Sequence, residues 1–91
     1  MAEGNYNVLL KSVIITKTTD ATGNFTTSLD ASKKVVMARA IRESPYYASY
    51  YFCLTGTAAN GNTAITCVLT ANGNLTLLAN TDVKVEVLYY E

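Results

Sequence analysis

Four tyrosines, Tyr46, Tyr47, Tyr50 and Tyr51, fall within a run of six residues, and Tyr89 and Tyr90 close the chain. A phenol ring offers flat apolar area with a polar tip at little conformational cost, which suits sugar stacking or protein recognition. The competing reading is structural, since successive side chains of a strand point to opposite faces and alternate tyrosines then pack in a core or at a subunit seam. Asn60 and Asn62 at one predicted turn, and Asn72 and Asn74 at another, are placed to hydrogen-bond a glycan. As turn formers they already have sufficient reason to be there.

Catalytic chemistry finds few residues to work with. The chain has no His, which removes the usual general base and the commonest metal ligand. Cys53 and Cys67 have no base beside them in the sequence, and two thiols alone do not make a zinc site. They read as small buried hydrophobes on neighbouring strands, and a tight turn at Asn60-Gly61 sets residue 53 opposite 68, leaving the sulfurs one step out of line. Asp20, Asp30 and Asp82 each stand in turn-like sequence, where Asp hydrogen-bonds its own backbone. Glu43 beside Arg42, and Lys84 with Glu86, read as solvated charge. No glycine-rich phosphate loop occurs. The expectation is a protein that is not an enzyme and takes no metal and no cofactor.

The bulk composition limits the remaining classes. Ninety-one residues make one domain, with a lead-in or docking arm expected over 1–7 and the domain over 8–91. Only 15% of residues are charged, against roughly 25% in an average globular protein, and Thr, Ser and Asn supply the polarity instead. Seven basic and seven acidic residues cancel, and the basic ones are scattered, so nucleic acid is not an expected partner. Zero net charge removes the repulsion that keeps monomers apart and favours a specific oligomer. The opening MAEGNYNVLL lacks a signal-peptide pattern, and no apolar run approaches the roughly 20 residues of a membrane helix, so synthesis in the bacterial cytoplasm is expected.

The elements that carry these residues are strands. Ala-Asn-Gly-Asn occurs at 59–62 and again at 71–74, and Asn-Gly suits a two-residue hairpin turn that needs φ > 0 twice. Between the turns Ile65, Cys67 and Leu69 alternate with Thr66, Val68 and Thr70, the period of a strand with one buried face. Further strands are predicted over Val8–Thr18, Phe25–Leu29, Val35–Ile41, Ser49–Thr55, Leu75–Leu78 and Val83–Tyr90. Val36, Ala38 and Ala40 are expected to share a face. Val8, Leu10 and Ile14 make the second face of the first strand apolar as well, and Leu88 and Tyr90 do the same for the last, so these five are the expected oligomer contacts. About seven short antiparallel strands make an all-β sandwich, Ig-like or jelly-roll-like.

The closing NTDVKVEVLYYE with the preceding TANGNLTLLA resembles the end of small β-sandwich modules in tail fibres and appendages of bacteriophages and prophages. The opening LLKSVIITKTTDATGNFTTSLDASKKVV is similar to the first hairpin of the same modules, and the resemblance spans Val8 to Tyr90. It implies a structural virion module, commonly a homotrimer, that attaches phage to a glycan or protein of the host surface. The alternative function is a small intracellular phage protein that sequesters a ligand or blocks a host defence protein.

Overall fold

A computed structural model describes residues 9–46, 51–71 and 73–91, and every one of its regular elements is a strand. These are β1 (Lys11–Thr18), β2 (Asn24–Thr26), β3 (Lys34–Ala40), β4 (Tyr51–Thr57), β5 (Thr63–Ala71), β6 (Asn74–Leu77) and β7 (Asp82–Tyr90). They form two antiparallel sheets packed face to face as a β-sandwich. One has the order β1-β7-β3; in the other β5 is flanked by β4 on one edge and by β2 and then β6 along the opposite edge. The expected lead-in over 1–7, Val8, Tyr47, Tyr50 and Asn72 lie outside the described residues.

The two central strands are those whose sequences alternate most regularly. Val83, Val85 and Val87 of β7 are fully buried, while Lys84, Glu86 and Leu88 point outward and are half-buried. On β5, Ile65 and Cys67 are fully buried against them. Phe25, Leu29, Ala38, Tyr51 and Leu78 complete this core, with Val13, Ile15, Val35 and Leu69 packed around it. β-branched side chains dominate because they fill a pleated half-buried surface with few rotamers to lose.

The doubled Ala-Asn-Gly-Asn folds in two ways. At its second occurrence Ala71 pairs with Asn74 across a two-residue connection, as expected, with Gly73 at φ 79°. At the first, Thr57 pairs with Thr63 and the connection is five residues long, which corrects the two-residue turn expected there. Ala58 N–H donates to Asn62 O (2.8 Å) and Gly61 N–H to Ala58 O (2.9 Å), while Asn60 Oδ1 accepts the Asn62 N–H (3.0 Å). Only Gly61, at φ 90°, takes the left-handed conformation, which is the pattern of a turn closed by a glycine bulge. The Asn60 side chain draws its neighbours into this local ring and leaves the longer loop in place of the tight one.

Two more departures have local causes. The second strand stops at Thr26, short of Leu29, because the regular ladder ends where Thr63 serves two residues. Thr63 O accepts the Thr27 N–H (2.9 Å) and Thr63 N–H donates to Leu29 O (2.8 Å), while the Thr27 hydroxyl donates to Thr63 O (2.9 Å) and accepts the Leu29 N–H (3.1 Å). In β3 the register shifts between Val35 and Met37, so Val35 packs against the core and Ala38 is buried while Val36 is exposed. The bulge separates Val36 from the face it was expected to share with Ala38 and Ala40. Asp20 and Asp30 cap turns as expected. Asp20 Oδ1 accepts the N–H of Thr22 (2.8 Å) and Asn24 (3.0 Å), and Asp30 Oδ1 that of Ser32 (2.9 Å). Those hydrogen bonds hold both carboxyls below the usual aspartate range, led by Asn24 N–H for Asp20 and by the Ser32 hydroxyl for Asp30.

Candidate functional site

Three regions could meet a partner: the tyrosine and asparagine positions, a cleft beside the β4-β5 hairpin, and the outer faces of the two sheets. The tyrosines separate. Tyr51 points inward from β4, is 6% exposed, and donates its hydroxyl to Lys84 O across the sandwich (3.1 Å). Burial, more than any charge, pushes its phenol up to about 12. Tyr51 is therefore a core residue that ties one sheet to the other and presents no ring to solvent. Tyr46 is half-buried on the loop after β3, with the Lys84 ammonium 5.7 Å from its ring centroid and Lys84 paired to Glu43 at 2.7 Å. Asn62 is also committed, its Nδ2 donating to Thr27 O (3.0 Å), and Asn60 spends its carbonyl on the turn. Asn60 Oδ1 and Asn62 Nδ2 are thus engaged within the protein and brace the hairpin tip.

Because Tyr51 keeps its proton more tightly when folded, the unfolded chain ionises first as pH rises. Stability from this group is complete below about pH 10 and is lost between about 10 and 12. Tyr51→Phe should remove part of that alkaline loss while costing about 1 kcal/mol at neutral pH for the missing hydrogen bond. Urea denaturation across that alkaline range checks both; an unchanged slope with pH would show that the phenol is not held as described.

The cleft, about 430 Å³, lies between the Asp30–Lys33 turn and the β4-β5 hairpin and is lined by Asp30, Lys33, Val35, Thr55, Gly56 and Thr63 among others. Its one acid, Asp30, is occupied by Ser32, and Lys33 Nζ lies 3.5 Å from a Glu91 carboxylate oxygen. No second acid faces Asp30 across this lining, so the cleft holds no pair for general acid and base work. Among the described residues no group of three His, Cys, Asp or Glu side chains gathers where a metal could sit. The outlying charges pair differently from their sequence order: Glu86 takes Arg39 (2.5 Å) and Lys84 takes Glu43.

The outer faces differ sharply in charge. On the β1-β7-β3 sheet, Leu10 and Ile14 are about half exposed and Leu88 and Tyr90 half-buried, so these expected contacts do lie on the outward side. They share it with Lys84, Glu86 and Arg39. The second sheet contains no charged residue in any of its four strands. Register puts Phe52, Val68 and Leu77 side by side in one row across β4, β5 and β6, facing outward. Leu54 (51% exposed) and Leu75 (69% exposed) flank the row, and Val68 is buried although it stands apart from the core cluster. Sequence reading passed over this patch. The signal was present, since Phe52 with Leu54 and Leu75 with Leu77 are spaced two apart in strands whose other faces are also partly apolar.

Cys53 and Cys67 stand directly opposite each other on β4 and β5, which corrects the expected pairing of 53 with 68; the longer first hairpin shifts the register by one. Both are free thiols, Cys53 partly exposed and Cys67 buried. Compared with models of known protein families, with curated proteins and with solved structures, the chain matches none of them.

Proposed function

We propose that this chain is a non-enzymatic virion module of the kind built into bacteriophage appendages, and that it self-associates through the outer face of its charge-free sheet. The observation that carries the reading is that face: Phe52 and Leu54 on β4 and Leu75 and Leu77 on β6 stand exposed in a sheet whose four strands carry no charge. Contiguous apolar surface of this sort on a small domain marks an interaction site. A second copy is the occupant it suits best, because two uncharged faces meet without like-charge repulsion and without desolvating an ion. The β4 edge of the same sheet also lacks the Lys or Pro with which edge strands commonly block pairing. The threefold order and the attachment to a host glycan or protein rest on the resemblance of the opening hairpin and closing strand to appendage modules. The site of assembly is synthesis in the bacterial cytoplasm followed by incorporation into the virion.

Sedimentation or light scattering of the pure chain tests the proposal. A mass of several protomers is expected for the wild type, and Leu54→Lys with Leu77→Lys should shift it to the monomer while Tm stays within a few degrees, since both positions are exposed. A wild-type monomer at tens of micromolar sinks the self-association. If Ile14→Lys alone dissociates the oligomer, the seam lies on the β1-β7-β3 face instead. The second reading, a small protein that sequesters a ligand or a host defence protein, draws on the cleft at Asp30 and Thr55. Co-purification of a small molecule from a monomeric chain would favour it.

A further inference from the structure

The main-chain hydrogen bonds around Cys53 and Cys67 define what kind of pair they are. Antiparallel ladders alternate hydrogen-bonded with non-hydrogen-bonded pairs. Ala58 N–H donates to Asn62 O, which makes 58 with 62 a bonded pair and, counting back along the register, makes 53 with 67 a non-bonded one. Cys67 agrees independently: its N–H goes to Gly23 O (2.8 Å) and its carbonyl accepts the Leu78 N–H (2.9 Å), both on the edge away from β4. In a non-bonded pair the Cα atoms sit about 4.5 Å apart and the side chains lean closest, within the span that disulfides occupy. Both side chains point into the core side of the sheet, Cys67 inside the hydrophobic cluster and Cys53 against it.

We propose that Cys53 and Cys67 are a built-in site for a reversible cross-strand disulfide, closed by exchange with a low-molecular-weight disulfide. This inference rests on the strand register and not on the function proposed above. Cys53 is the sulfur an incoming reagent can reach, being partly exposed where Cys67 is not. Cys53 Sγ attacks one sulfur of the reagent, its S–S bond breaks, and one reagent thiolate leaves. Cys67 Sγ then attacks Cys53 Sγ, the mixed disulfide breaks, and the second reagent thiolate leaves. The two cysteines are oxidised, the reagent is reduced by two electrons, and the two thiol protons end on the two reagent thiolates. The sulfurs already interact in the dithiol: the hydrogen bond with Cys67, then burial, pushes the Cys53 thiol up, which slows its attack as thiolate, and the same hydrogen bond draws Cys67 down. Closing the bond pins β4, an edge strand held in its sheet on one side only, to β5, and with it the Phe52 and Leu54 positions of the uncharged face.

The test incubates the full chain with oxidised glutathione, folded and in urea. The folded chain should lose two hydrogens in mass with no glutathione adduct, and a non-reducing peptide map should join the segments carrying Cys53 and Cys67. The equilibrium constant for ring closure should be at least about 100-fold larger folded than unfolded, and Tm should rise by roughly 10 °C. Cys67→Ala should stop the reaction at a Cys53 adduct. The folded-to-unfolded ratio is measured on the wild-type chain and needs no variant. A lasting glutathione adduct on the wild type, cross-links between chains, or equal constants folded and unfolded would each overturn the proposal.

Discussion

Truncating Ile65 to alanine is expected to lower stability by about 3–4 kcal/mol, a fall in Tm of roughly 15–25 °C for a domain of this size. Ile65 is fully buried: it sits on the central strand of the second sheet, opposite Phe25 on one side and Thr55 on the other, in one core cluster with the buried valines of β7. Removing three carbons there forfeits their transfer from water and leaves a void that two ladders hold open. A ninety-residue domain has roughly 5–13 kcal/mol in total, so the loss is a large fraction of what is available. Ile65→Val should cost only about 1 kcal/mol, because one methyl leaves and the β-branch stays. Urea titration of the three proteins with unchanged m-values checks this; equal midpoints for wild type and Ile65→Ala would mean that the two sheets do not meet over this residue.

Gly23→Ala is the second large effect, expected at about 3 kcal/mol. Gly23 has φ +77°, and a Cβ built there meets the Cys67 carbonyl oxygen at 3.0 Å and the Leu78 nitrogen at 3.2 Å. Both are backbone atoms already bonded to each other, Leu78 N–H donating to Cys67 O (2.9 Å), and the Cys67 N–H is held by Gly23 O (2.8 Å), so neither can retreat without losing main-chain hydrogen bonds. Left-handed backbone alone costs a non-glycine residue roughly 1–2 kcal/mol, and the clash adds the remainder. Gly61→Ala provides the comparison. It has φ +90° but open space around its Cβ, so only the conformational part of about 1 kcal/mol should appear. Thermal melts of the two variants should therefore differ by roughly 10 °C, and identical melting temperatures would show that the contact with Cys67 and Leu78 is not made.

Gly23 also shows why some of the fold was legible beforehand and some was not. A Gly-Asn pair in Thr-Asp-Ala-Thr-Gly-Asn announces a turn, and the turn is there. That the same glycine lies against the far hairpin, 44 positions along at Cys67, has no local signature. The same holds for Thr19, buried with its hydroxyl on Leu78 O (2.5 Å) and accepting the Thr81 N–H (2.9 Å), a polar bridge that nothing in a Thr-rich sequence distinguishes from the exposed threonines around it. Tyr51 and Tyr46 were alike on paper. Alternation decides that one ring of the cluster turns inward, but which one depends on where β4 starts relative to β5.

By itself the chain of residue types determined the all-β class, the number of strands, the turns at Asp20 and Asp30, and the inward face of β7. Each follows from periodicity or turn chemistry acting over a few neighbouring residues. The tertiary structure alone decided the register of the first hairpin, and therefore the meeting of Cys53 with Cys67, the alignment of Phe52, Val68 and Leu77, and the bulge that turned Val36 out. A single extra residue in a loop changes which partner every later residue faces, and its free energy is summed across the whole sheet, so no short stretch of sequence contains it.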